Sequence, residues 1–432
     1  MSVAAGVEHR RESTSGYSDS LDADAFAASL VPGGVLASPY FAGNYHPSFG
    51  SYDVNEGYLE TVVPVVEDVF LAKALDFNGA ARETDYSTSG RITTWKLGLT
   101  YSPVDDFGFR FTRSRDIRAP DLAELFQNNL SQTNTVTDTT KSGVQPNDSI
   151  YQVTQGNRAL QPEIAHTTTF GVIFHPSFLP GLAGSVDYYT TRINGAITSP
   201  TAQQVVNECA DGVTALCSQI VRNAAGTITT VYIQPVNLAS QLARGIDFEV
   251  SYGTPLSTIA AFLPGNFDVR LLATHYLENT LNTGIAGVTA INYVGDDSGN
   301  GTYGTTSLPH WKYAATAAWG GGPVTLTFTA RGFSSGVINS SYIQCTTSCP
   351  AATANSPTIS DNSLPGAIYF DTNVNYKLPL GTEVYVSVDN LANRAPTMVP
   401  YGPSIGGAPL SINPNLYDTL GRTFRAGFRF KL

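Results

Sequence analysis

The sequence predicts an all-β protein, an antiparallel transmembrane β-barrel with about fourteen strands in these 432 residues. Three observations predict it. Apolar and polar residues alternate with a period of two along most of the chain. The composition is poor in charge and rich in aromatic rings, and short and long connections mostly take turns between the alternating segments.

Hydrophobic residues make up 42% and charged residues 14%, where soluble domains carry roughly 25% charge. Aromatics reach 11%, with 22 Tyr and 21 Phe against 2 Met, and there are 40 Gly. That mixture suits many strands, their turns and rings at membrane interfaces. The net charge of −11 argues against a nucleic-acid partner, because phosphate binding rests on basic patches. The acidity reads as solvated loops, with an acidic site for a cationic ligand as the sharper alternative. No apolar run of about 18 residues exists to form a spanning helix. The opening residues lack a basic stretch followed by an apolar one, so they are not a signal peptide, and the natural start is expected upstream.

Along the chain, strands are expected near 3–12, 56–63, 70–83, 91–102, 106–116, 166–176, 182–195, 239–252, 266–278, 309–320, 323–334, 366–377, 381–390 and 420–432. Phe107, Phe109 and Phe111 alternate with Gly108, Arg110 and Thr112, and Ile246, Phe248 and Val250 with Asp247 and Glu249. The last strand sets Phe424, Phe428 and Phe430 against Arg425, Arg429 and Lys431. In a membrane barrel the apolar face meets lipid and the polar face lines a wet lumen. Short links such as Ser102–Asp105, Gly320–Gly322 and Leu378–Leu380 separate long ones at 117–165, 196–238, 279–308, 335–365 and 391–419. Segregation of loop length to opposite ends is a property of outer-membrane barrels. The first strand then runs outward and the last ends at the periplasmic side, and Trp95, Tyr101, Trp311 and Trp319 are candidates for the interface belts.

The four cysteines form two close pairs, Cys209 with Cys217 and Cys345 with Cys349. Neither spacing has the nearby His of a zinc site, and two short loop disulfides in an oxidising compartment fit better. The six His are scattered, and HExxH, GxSxG and P-loop motifs are missing, so an enzyme is not expected and no cofactor is called for. Asp296-Asp297 followed by Ser-Gly-Asn-Gly reads as a solvated turn, with a calcium loop the sharper alternative.

Several ordered motifs resemble the TonB-dependent outer-membrane receptor family. Asn55 to Pro64 resembles its E-x-Y-x-E-x-x-x-P segment. The run Phe109 to Phe126 matches R-x-x-x-S-R-x-x-R-A-P-x-L-x-E-L-F, carried here by Arg113, Ser114, Arg115, Arg118, Ala119, Pro120, Glu124, Leu125 and Phe126. Gly156 to Glu163 is similar to G-N-P-x-L-x-P-E, with Arg158 where Pro is usual. Ala243 to Glu249 and Val388 to Asn393 resemble the x-x-G-x-E-x-E and V-x-N-L-x-N strands, and the final strand ends in Leu432 where Phe is commoner. Pro120 ends a strand by fixing φ and removing a donor, and Asn390 to Asn393 supply turn-forming amides. For Arg113, Arg115 and Arg118, ion pairing with wall, loop or lumen carboxylates is expected over direct ligand contact.

The resemblance implies a 22-stranded barrel around an N-terminal plug, energised through TonB, in the bacterial outer membrane. Residues 1–432 are then its C-terminal barrel portion, with the plug, the TonB-binding segment and about eight strands outside them. The implied function is uptake of a scarce solute (an iron–siderophore complex, cobalamin or an oligosaccharide), with outer-membrane lipid, TonB and a small ligand as partners. Such a piece alone is not expected to transport actively. A passive fourteen-stranded porin is the alternative, and use as an adhesin or phage receptor is secondary. The ligand stays open; Tyr151, Tyr232, Tyr293, Tyr303, Tyr342 and Tyr401 either stack on it or pack the loops together.

Overall fold

The computed structural model describes residues 1–17, 45–138, 140, 147–210, 212–284, 289–299, 307–351, 357–399, 404–405 and 408–430. Period-two alternation becomes one antiparallel wall of fourteen long strands whose spatial order is their chain order. They are β1 (Ser2–Gly16), β2 (Ser48–Val69), β3 (Ala72–Tyr86), β4 (Gly90–Val104), β5 (Phe107–Arg118), β6 (Glu163–Phe174) and β7 (Leu182–Thr198), followed by β8 (Val236–Pro255), β9 (Asn266–Asn282), β10 (Trp311–Gly321), β11 (Val324–Phe333), β12 (Ala367–Lys377), β13 (Thr382–Asp389) and β14 (Thr423–Phe430). A two-residue strand, Ile291–Asn292, adds to the outer end of β9. Among the described residues β1 and β14 each pair on one side.

Each expected strand falls on an observed one. The largest difference is β2, expected over 56–63 and found over Ser48–Val69. Its alternation continues upstream through Tyr52 and Val54, and a register shift between Pro64 and Val66 absorbs the donor that proline lacks. Links 70–71, 105–106, 175–181, 256–265, 322–323 and 378–381 lie at one end, and the long links at the other. The link 87–89 is the short exception at the long-loop end, closed by Gly90 at φ +77°.

Register fixes the two faces. Leu99, Phe111, Phe170, Tyr188 and Ile246 lie side by side on one face across β4 to β8, and most of these rings and chains are exposed. This is the outward, apolar face. The inward face carries charge: Arg110 Nε donates to Asp187 Oδ1 at 2.6 Å, Arg270 Nε to Glu249 Oε1 at 2.9 Å, and Arg425 to Asp389 at 2.6 Å. All four belt candidates are outward: Trp95 and Trp311 near the long-loop end, Tyr101 and Trp319 near the short turns, bonded to the Leu71 and Pro264 carbonyls.

The buried clusters sit in the long loops and where those loops meet the strand ends, a consequence of a wall whose two faces meet lipid and water. The links 119–162 and 199–235, expected as plain connections, build a second sheet in the order Ile220–Arg222, Ile228–Ile233, Asn147–Thr154, Leu130–Thr137. A helix, Ala202–Ala210, packs on it, burying Val136, Ile150, Val205, Val206, Ile228 and Val231. The apolar residues in these links are too few per segment to stand out against their Ser/Thr/Asn background, and only tertiary pairing reveals them.

Candidate functional site

The motif run of β5 ends in a short helix, α1 (Leu122–Phe126), that seats the first cap loop on the wall. Pro120 is buried and stops the strand. Asp121 then caps the helix reciprocally: the Glu124 amide donates to Asp121 Oδ1 at 2.7 Å, and the Asp121 amide to Glu124 Oε2 at 2.8 Å. Arg118 holds Glu124 with two bonds of 3.0 Å and Glu163 with one of 2.7 Å. Glu163 also accepts from the Ile197 amide at 2.7 Å, so one guanidinium ties α1, β6 and β7 together. Leu125, 2% exposed, packs with Tyr52, Val54, Tyr86 and Leu160, and Ala119 and Phe126 border the same cluster.

The second motif docks onto the first. The Gly156 amide donates to the Gln127 carbonyl at 2.7 Å and the Asn157 amide to that of Glu124 at 2.8 Å. A Cβ on Gly156 would strike the Leu125 backbone. Arg158, which replaces the usual proline, lies over the Phe126 ring at 5.2 Å. Two motifs about thirty residues apart in sequence are therefore halves of one fastening.

Arg113 and Arg115 correct the expectation of ion pairing. They share the outward face with Phe109 and Phe111 and have no ion pair among the described residues; Arg113 donates to Thr168 Oγ1 at 3.2 Å. Parity decides this, since odd residues of β5 point out and Arg118 points in. Ser114, buried and inward, donates to Asp116 at 2.6 Å.

A second fastening, not singled out in the sequence, holds the last loop. Arg331 donates to Asp371 at 2.7 Å and to Asp418 at 3.0 and 2.6 Å, with its guanidinium 5.0 Å from the Tyr369 ring centre. Beside it, Asn390 and Asn393 both adopt φ of 51°, a region asparagine tolerates, and Asn390 exchanges two bonds of 2.8 Å with Arg394. Between this fastening and the wall lies a cavity of about 390 Å³ lined by Thr274, Tyr276, Lys312, Arg331, Tyr369 and Leu416.

Disulfides join Cys209 to Cys217 and Cys345 to Cys349. In the cap, the Arg222 guanidinium on Asp138 holds that carboxyl well below the usual range. Tyr151 and Tyr293 are buried, and Tyr232 and Tyr342 pack against loop clusters; Tyr303 and Tyr401 lie outside the described residues. The Asp296-Asp297 step is no solvated turn. Asp297 is 0% exposed and both carboxylate oxygens lack a hydrogen-bond partner among the described residues. Burial, then the neighbouring Asp296 charge, pushes its carboxyl up to about 7, and burial pushes Asp296 to about 6.

A membrane-type wall, a charged inner face and long loops fastened over one end define an outer-membrane receptor barrel. The chain belongs to the TonB-dependent receptor family: residues 2–391 match the model described as TonB dependent receptor-like, beta-barrel. Its fold is similar to that of a point mutant of the ferric enterobactin receptor PfeA from Pseudomonas aeruginosa in complex with enterobactin. There the TM-score is 0.62 at 15% identity, covering 99% of this chain and 51% of that one. The siderophore receptor PirA from Acinetobacter baumannii gives 0.60 at 14%, covering 99% and 51%. At such identity the likeness establishes the fold, and the chain spans about half the length of these solved receptors. No curated protein matches the sequence. Family membership implies a bacterial outer-membrane location.

Proposed function

We propose that this chain is the barrel portion of an outer-membrane receptor that takes up a scarce solute by TonB-dependent active transport. The observation that carries the reading is the family match over residues 2–391 on a wall whose long loops are fastened to the strands at one end by Arg118 and Arg331. In this reading the plug and the TonB-binding segment come from sequence outside these 432 residues. The fastened loops hold a ligand-facing surface in place, so binding does not first have to order it. An iron–siderophore complex is the substrate class we favour, supported by the receptors of like fold; cobalamin and oligosaccharides are the competing classes.

The test joins this chain to a plug domain of the family and measures uptake of a radiolabelled ferric catecholate, with and without TonB. Uptake that needs TonB supports the proposal. Uptake indifferent to TonB would make the protein a passive channel, and none at all would remove this substrate class. The 432-residue chain expressed alone is expected to show no energy-dependent uptake.

A further inference from the structure

Above the apolar row of Leu99, Phe111, Phe170, Tyr188 and Ile246, on the same outward face, the next row toward the long-loop end is Leu97, Arg113, Thr168, Thr190 and Arg244. The row beyond is Trp95, Arg115, His166, Arg192 and Leu242. Arg115, His166 and Arg192 thus stand side by side on three adjacent strands, with Arg113 one row below. Strand spacing puts Arg115 and Arg192 roughly 10 Å apart, and the two rows lie about 7 Å apart. Arg113, His166 and Arg192 are exposed.

Other charges on this outward rim are neutralised in place: Arg91 pairs with Glu83 and Asp85, Arg11 with Asp53, and Arg244 with Glu278. Arg113, Arg115 and Arg192 have no such pair among the described residues; Arg192 interacts with Glu278 at longer range. Three guanidiniums around an imidazole, none of them in a direct ion pair among the described residues, face the level where an apolar belt gives way to polar headgroups. Cations without a directly bonded carboxylate there draw an anion from the membrane itself, and guanidinium is shaped to grip phosphate oxygens two at a time.

We propose that Arg113, Arg115 and Arg192, with His166 between them, form a docking patch for the phosphate of an anionic lipid headgroup in the outer leaflet. The proposal rests on the outer-membrane placement of the wall. It gives a use to two motif arginines that the lumen does not employ.

The test folds the whole chain into phosphatidylcholine vesicles doped with phosphatidic acid, extracts it with detergent, and measures the two lipids that stay bound. Phosphatidic acid is expected to be enriched on the order of tenfold. The enrichment should be lost in R113A/R115A/R192A, kept in the triple lysine variant, and unaffected by R425A on the inner face. Equal retention of both lipids by the native chain overturns the proposal, as does undiminished enrichment in the triple alanine variant. If that variant fails to fold, R192A alone must show a reduced enrichment. Strands left open to protease in these vesicles would instead refute the membrane placement.

Discussion

Replacing Asp297 by asparagine tests a costly buried group among the described loop residues. The carboxyl is fully buried without a hydrogen-bond partner among the described residues, and burial, then the neighbouring Asp296 charge, raises it from 3.8 to about 7. At about 1.4 kcal/mol per pH unit, that gap corresponds to roughly 4 kcal/mol for holding the ionised form inside. A raised acid binds its proton more tightly in the folded loops than in the unfolded ones. The stability is therefore fully present below about pH 4 and is lost as pH rises through about 7. The asparagine side chain has the same shape and no charge, so D297N should stabilise the junction at pH 8, by up to those roughly 4 kcal/mol, and change nothing at pH 4. The readout is hydrogen exchange, corrected for intrinsic rate, at two amides: that of residue 297, bonded to the Val337 carbonyl at 2.9 Å, and that of Val337, bonded to the Gly295 carbonyl at 2.7 Å. Protection that does not vary with pH in the native chain would refute the reasoning, as would weaker protection in D297N at pH 8.

Three further outcomes are expected. L125A removes the centre of the cluster under α1 and should cost about 2–5 kcal/mol, read as faster protease cleavage within 119–162 while the wall stays resistant. Reducing Cys209–Cys217, separated by eight residues, should loosen the cap by about 2–3 kcal/mol, seen as lost exchange protection over 220–233 with β7 and β8 unchanged. Gly181 has φ +90° and would drive a Cβ into the Gly253 carbonyl, so G181A should slow assembly of β7 with β8, measured by the rate of heat-resistant band formation in gels.

The wall was legible because its signal is local. Every second residue of β5 or β14 meets lipid, and the alternation of Phe with Arg or Gly states that directly. The fastenings were half legible: the motif containing Arg118, Glu124 and Leu125 was visible, but not that Gly156 and Asn157 dock on the same helix. The outward aim of Arg113 and Arg115 could have been read by counting from Phe111, yet the charge suggested lumen or loop partners. Asp297 was beyond reach, because its burial depends on loops around Val337 and Asn413 meeting from distant sequence.

Because strand order equals chain order, both ends of every long loop emerge from paired neighbours, about 5 Å apart. The wall therefore constrains only where a loop leaves and returns. Its length adds closure entropy that grows slowly, roughly 0.6 kcal/mol for each doubling. Whole loops can thus be exchanged between relatives, or lengthened, without re-solving the barrel beneath them. In selective terms, the wall and the loops it carries are separately inheritable parts of one polypeptide.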